Sequence, residues 1–404
     1  MSLSPARPDA VWWHVYPLGA CGAPIRGFGE EAAAPRLARL EPWLGYAAEL
    51  GCTGLLLGPV FASSTHGYDT LDHFRLDPRL GGDEDWSRFA DAARAHGLDL
   101  ILDGVFNHVG ARHALVAEAA AGRGMVRMED GAHRGWEGHR ELAELDHGDP
   151  RVADLVVDVM RRWLDRGAAG WRLDVAYAVP GPFWTEVIGR VKADHPDAVF
   201  LGEVIHGDYA AIAAAGSLDL ITAYELWKAV WSSLVDRNMW ELAWALERHA
   251  AFARGTRLQT FVGNHDVARI ASLAGDDGAA IAAAVLLTLP GLPSIYYGDE
   301  QAFQGVKGEG AAADDPLRPE LPATPADLAP EGRWLHALHR ELIALRRANP
   351  WISDGELRVA GKTNGTIDYE VAGGGRTLRV RLELDPSPRV RATIDGDDAF
   401  GWGG

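Results

Sequence analysis

The chain has 404 residues, 47% hydrophobic and 24% charged, enough for a large core and one to three domains. Its 57 acidic and 39 basic residues give a net charge of −18, which repels nucleic acid and anionic membranes and leaves a neutral ligand such as a sugar acceptable. The two cysteines, Cys21 and Cys52, supply neither a disulfide framework nor a metal-site spacing.

In chain order, the opening 1-MSLSPARPDAVWWHVYPLG-19 lacks a basic start followed by an apolar run of signal-peptide length, so the expected compartment is the cytoplasm. Short apolar runs then recur at 11–17, 53–60, 98–106, 169–176, 198–204, 219–224, 257–263 and 293–299. Helical patterns lie between or after them at 85–97, 150–167, 239–255, 276–289 and 332–350. Apolar runs without alternation predict strands buried on both faces, as in a parallel sheet covered by helices. Eight such units predict an α/β fold, a closed (β/α)8 TIM barrel. The open doubly wound alternative usually carries a Gly-rich phosphate loop after its first strand, and none follows 11-VWWHVYP-17. The apolar run 279–293 reads as too short to span a bilayer. Residues 107–147 show little strand pattern and read as a long excursion after the third strand, and 300–330 read as an irregular loop. Residues 351–404 are expected to form a small C-terminal antiparallel β domain, because 355–384 alternates around the turn signals 364-NG-365 and 373-GGG-375. The barrel is thereby assigned to 1–106 and 148–350.

Barrels carry their chemistry at the C-terminal strand ends. There the sequence places Asp103, Asn107 and His108 (third strand), Arg172 and Asp174 (fourth), Glu203 and His206 (fifth), 263-GNHD-266 (seventh), and Asp299 and Glu300 (eighth). The second strand leads into 66-HGYDT-70. Any one of these has an ordinary explanation as a helix cap, a turn residue or an ion pair. Together, the carboxylates of the fourth, fifth and seventh strands share one nearby cation, Arg172. Burying them costs several kcal/mol unless their protonation states are split. One ionised carboxylate to attack an anomeric carbon, one protonated carboxyl to release the leaving oxygen and a third to grip hydroxyls would suit glycosidic bond cleavage.

These motifs resemble the alpha-amylase family of glycoside hydrolases, family 13. The segments 103-DGVFNH-108, 170-GWRLD-174, 202-GEVIH-206 and 261-FVGNHD-266 are similar to its four signature regions, in order. The segments 142-LAELDHGDP-150 and 291-GLPSIYYGDE-300 are similar to the close of its small B domain and to its eighth strand. The resemblance implies a short B domain at 107–147 and an intracellular α-glycosidase or transglycosylase of actinobacterial type, acting on α-glucans or α-glucosides. It implies Asp174 as nucleophile, Glu203 as general acid/base and Asp266 as the third carboxylate. Arg172 would orient Asp174 and keep it ionised, while the neighbouring carboxylates would raise the pKa of Glu203. His108 and His265 would hydrogen-bond the reacting sugar, Tyr68 would stack under it and Asp103 would stand by Arg172. No cofactor is required; calcium, through Asn107, is the one metal the resemblance raises. In exo-acting relatives an Asp of the GYD segment pairs with an Arg after the eighth strand to cap the sugar's non-reducing end; Asp69 and Arg318 stand at those positions, and the alternative is a common variant of the segment and a solvated loop arginine. Trp136, Trp227 and Trp231 are possible acceptor-subsite residues, whereas Trp171 is expected in the core.

One segment departs from the family pattern. Endo-acting members often carry Lys-His after the nucleophile, where this chain has Tyr177 and Ala178. That leaves open endo or exo action, and whether the enzyme hydrolyses, transfers the glycosyl group to a sugar as a transglycosylase, or works as an isomerase of α-glucosides. A non-catalytic carbohydrate-binding protein on the same fold is the remaining alternative. Nothing in the sequence indicates an oligomeric state.

Overall fold

The computed structural model describes residues 6–122 and 124–403. Eight parallel strands close into a barrel: β1 (Trp12–Val15), β2 (Gly54–Leu57), β3 (Asp99–Gly104), β4 (Gly170–Leu173), β5 (Val199–Gly202), β6 (Leu220–Thr222), β7 (Arg257–Thr260) and β8 (Leu292–Tyr296). All eight coincide with the apolar runs of the sequence.

Side chains alternate along each strand, and the alternation positions the site. Trp12, Leu56, Ile101, Val199, Leu201, Leu220 and Leu292 fill the barrel interior. Trp171, Leu102 and Phe200 belong instead to the layer between strands and helices. Two residues beyond Ile101 comes Asp103, and two beyond Leu201 comes Glu203. On β4 the inward residues are Gly170, Arg172 and then Asp174, with Arg172 in register with Asp103 and Leu201. A Cβ on Gly170 would collide with the Val199 carbonyl oxygen and lie 3.0 Å from Ile101 Cδ1, so the crowded interior accepts only glycine there.

Helices Asp83–Ala95, Pro150–Asp165, Met239–Ala253, Ile270–Thr288 and Arg333–Ala348 occupy the expected places. The expectation for the apolar run at 279–293 needs correction. Ile270–Thr288 has 19 residues and is long and apolar enough to cross a membrane. It extends further back than its apolar run because 270–278 joins it through a kink at Gly275. Its apolarity serves packing: it contacts Tyr224–Val235, Arg333–Ala348 and two strands of the C-terminal sheet.

The excursion after β3 also departs from expectation, since it does contain strands. Gly135–Trp136, His139–Glu144 and His108–Gly110 form a three-stranded sheet, with a ribbon of Met128–Glu129 and Ala132–His133 beside it. Two- to six-residue strands are too short to reveal alternation. At the C-terminus, Glu356–Lys362, Thr366–Gly373, Arg376–Glu383, Arg389–Ile394 and Asp397–Gly403 make a five-stranded antiparallel meander. It is tied to the barrel by a buried 2.6 Å hydrogen bond between the hydroxyls of Thr288 and Tyr369.

Candidate active site

A cavity of about 830 Å3 opens at the C-terminal ends of the strands, lined by Tyr68, Asp69, His108, Asp174, Glu203 and Asp266 among others. A hollow of similar size, about 820 Å3, lies on the C-terminal sheet. Its charged residues, including Arg381 with Glu383 and Arg391 with Asp398, are surface ion pairs, whereas the barrel cavity is floored by buried ones.

Arg172 organises that floor. Its Nη1 donates to both oxygens of Asp103, at 2.6 and 2.5 Å, and lies 3.4 Å from Asp174 Oδ1; its Nη2 is 2.5 Å from Glu203 Oε1. The other Glu203 oxygen accepts the Val175 N–H at 3.0 Å. Val175 can aim that N–H because it adopts φ 41°, ψ 44°, a left-handed conformation unusual for a β-branched residue and characteristic of strained functional sites. Tyr224 donates to Glu203 Oε1 at 3.0 Å and accepts from Asn264 Nδ2 at 3.0 Å. Asn264 Oδ1 in turn accepts the Asp266 N–H at 2.9 Å.

A second chain of contacts runs along the wall. Tyr68 donates to Asp103 Oδ2 at 2.9 Å and stands in short contact with His265 Nε2. His265 Nε2 is 3.0 Å from Asp266 Oδ2. The His265 ring is wholly buried, parallel to those of Tyr16 and Tyr68 at 6.0 and 5.4 Å. Arg318 donates to the His265 carbonyl and to Asp266 Oδ1, each at 2.9 Å, and to Asp314 Oδ2 at 3.1 Å.

Burial dominates the electrostatics. It pushes the Asp174 carboxyl well above the ordinary carboxylate range, with the charge of Glu203 adding to the rise and Arg172 opposing it. Asp103 is pushed up to about 6 by burial, against Arg172. Burial takes His108 down to about 4 and, with Arg318, takes His265 well below its usual value, so both imidazoles are neutral. Arg172 favours the ionised form of Asp174, while burial and Glu203 act against it. The guanidinium sits against Asp103 and Glu203, and its contact with Asp174 is the longest of the three.

Of the expected site residues, Asp174, Glu203, Asp266, Arg172, Tyr68, His108, Asp69 and Arg318 meet at or beneath the cavity. His265 lies behind Tyr68 and does not line it. Asp69 and Arg318 line the same cavity, but Asp69 accepts from the Thr65 N–H and hydroxyl at 3.0 and 2.7 Å, while Arg318 is held by Asp266 and Asp314. Trp136 lines the cavity, stacked on His108 at 6.5 Å, and Trp171 is core. Trp227 packs on Phe261 and Trp231 lies by Lys228; neither faces the cavity. Asn107 is the residue raised for calcium. Calcium takes six to eight oxygen ligands. Here the Asn107 carbonyl accepts the Leu145 N–H, its amide Nδ2 meets His108 Nδ1, and the Phe106 carbonyl is bound to His147. Among the described residues no three His, Cys, Asp or Glu side chains gather as a metal would need.

Sequence reasoning missed Tyr224, Asn264, Asp314 and the Val175 N–H. Tyr224 was within reach as the residue that ends the sixth apolar run. Asp314 sits four residues before Arg318.

A family model described as alpha amylase, catalytic domain, matches residues 40–137 and 136–327. The chain belongs to the alpha-amylase family. Neopullulanase 2 of Thermoactinomyces vulgaris is 30% identical to this family member over 345 residues, 78% of the chain and 56% of that protein. A cyclomaltodextrinase of Geobacillus thermopakistaniensis is 29% identical over 333 residues, 74% of the chain and 56% of that protein. The chain thus spans little more than half the length of these curated relatives. Among solved structures, the cyclic alpha-maltosyl-(1→6)-maltose hydrolase of Arthrobacter globiformis superimposes with a TM-score of 0.80 over 98% of both chains, at 24% identity. That likeness extends the shared fold to the whole chain, the C-terminal sheet included.

Proposed function

We propose that this alpha-amylase family member is a retaining α-glycosidase acting on α-linked glucosides and maltooligosaccharides. The observation that carries the reading is the sharing of one buried guanidinium, Arg172, by Asp103, Asp174 and Glu203 beneath a cavity whose rim holds Asp266. Three buried carboxylates and one cation retain a proton, and a retaining reaction needs one proton on its two carboxyl groups. Asp174 attacks the anomeric carbon; the glycosidic C–O bond breaks as the Glu203 proton passes to the leaving oxygen. Water then attacks the anomeric carbon of the glycosyl-enzyme, its proton passing to Glu203 as the bond to Asp174 breaks and the Asp174 carboxylate is restored. Arg172 Nη2, 2.5 Å from Glu203 Oε1, holds that carboxyl in place. Cys21 and Cys52, buried and unpaired, suit a reducing cytoplasm.

A second reading, transfer to a sugar acceptor, is supported by the apolar wall of Val175, Tyr177, Ile205 and Val267 beside Glu203. Such a wall admits a sugar face and disfavours water.

The test is turnover of α-1,4, α-1,6 and α,α-1,1 glucosides, with separation of products. Wild type is expected to release maltooligosaccharides or glucose, and Glu203→Gln to lose about 100- to 10,000-fold in kcat. Undiminished turnover by Asp174→Asn or Glu203→Gln sinks the proposal. Products longer than the substrate select the transfer reading.

A further inference from the structure

Trp240 and Trp244, on helix Met239–Ala253, stand 51% and 56% exposed and belong to no part of the active-site cavity. They are four residues apart, on one face of the helix and about 6 Å apart along its axis. Exposed tryptophan is costly to leave in water, and these two are also held in place. Trp240 Nε1 donates to Asn364 Oδ1 at 2.9 Å, from the first turn of the C-terminal sheet, and the Lys362 ammonium lies 5.5 Å from its ring. Lys362 is itself 3.1 Å from Glu247 Oε1. The Arg248 guanidinium lies 4.9 Å from the Trp244 ring and is fixed by two bonds to Glu225, at 2.6 and 2.8 Å.

We infer that Trp240 and Trp244, with Lys362, Asn364, Glu247 and Arg248 around them, form a second carbohydrate-binding site for an α-glucan chain, outside the catalytic cavity. Each indole has a cation over its ring and is still half exposed, so that the two offer flat apolar surface at this spacing to the C–H faces of neighbouring sugar rings. The Lys362 ammonium and the Arg248 guanidinium, over the rings of Trp240 and Trp244, and the Asn364 amide beside Trp240 supply donors for sugar hydroxyls. Immobilised aromatics lose little entropy on binding. A neutral glycan also suits a chain whose net charge of −18 opposes the approach of a second copy. This rests on the α-glucan reading of the family cavity and extends it: a site here would hold a long substrate while its end is processed elsewhere.

The test runs wild type, Trp240→Ala/Trp244→Ala, Trp240→Phe/Trp244→Phe and Glu203→Gln on native gels with and without soluble starch, alongside maltotriose turnover and sedimentation. Wild type and Glu203→Gln should be retarded alike by starch. The alanine pair should lose at least fivefold in retardation while keeping maltotriose kcat/KM within twofold. The phenylalanine pair keeps a stacking face, should retain part of the retardation, and decides the matter if the alanine pair does not fold. Retardation of the alanine pair equal to wild type overturns the inference, as does a wild type that starch does not retard. So does a dimer that dissociates in the double variants with starch retardation unchanged, which would assign the patch to self-association. Failure of the α-glycosidase reading is distinct: it shows as absent turnover by wild type, whatever the gels display.

Discussion

Arg172 sits among three carboxylates, 2.5 Å from Asp103 and Glu203 and 3.4 Å from Asp174, so that its charge bears most directly on the first two. The residues that adjust this balance touch Glu203 directly. Tyr224→Phe removes a donor to Glu203 Oε1 and leaves Asn264 Nδ2 without its acceptor. A hydrogen bond to a charged group is worth about 1.5–3 kcal/mol, so kcat/KM should fall about ten- to a hundredfold, with the far-UV circular dichroism unchanged. Steady-state kinetics that match wild type would show that Tyr224 does not steer Glu203. At this scale the sequence revealed residue types and not partners. Asp174, Glu203 and Asp266 were legible because each follows an apolar run at one end of the barrel. That Arg172 would approach Glu203 more closely than Asp174 was not, because it depends on side-chain rotamers across three strands.

Among the elements, the parity of the barrel strands aligns Asp103, Arg172, Asp174 and Glu203 on the interior, a consequence of period-two alternation that spacing alone conveys. The excursion after β3 is different. Its sheet is built from pairings such as Leu142 with Gly110, distant in sequence, and they bring Trp136 over His108 at the cavity wall. Removing that indole by Trp136→Ala takes away a stacking surface worth about 0.5–1.5 kcal/mol. It should raise KM for maltooligosaccharides about two- to tenfold and leave kcat within twofold, measured by initial rates over a range of chain lengths. A fall in kcat at constant KM would place Trp136 at the reacting bond instead of a binding subsite.

Across the whole molecule, the loop after β8 ties the barrel to the helix Glu41–Leu50 through a buried carboxyl. Glu300 accepts from the Tyr46 hydroxyl at 2.8 Å and from the Gly298 N–H at 3.0 Å, and burial pushes it up to about 7. The folded protein therefore binds this proton more tightly than the unfolded chain, so its contribution to stability is present below the unfolded value near 4.5 and is lost as pH rises through about 7. A proton held this much more tightly in the folded state corresponds to a loss of about 3 kcal/mol across that range. Glu300→Gln should lower stability at pH 5, where an accepted hydrogen bond is lost, and flatten the decline between pH 5 and 8, as read by urea unfolding at each pH. A variant whose decline matches wild type would show that Glu300 does not drive it.

The sequence by itself determined the barrel, the strand ends that bear chemistry, the identities of the three carboxylates and the family, because these follow from local apolarity, alternation and short contiguous motifs. Only the tertiary structure decided that Asp69 and Arg318 have separate partners, that His265 lies behind Tyr68, that Trp227 and Trp231 face away from the cavity, and that Trp240 is fixed in the open by the C-terminal sheet and Trp244 by Arg248. The decisive contacts join segments far apart in the chain, as Arg318 joins Asp266 and Tyr68 meets His265, where burial and the reach of a side chain settle the partner and no local pattern records it.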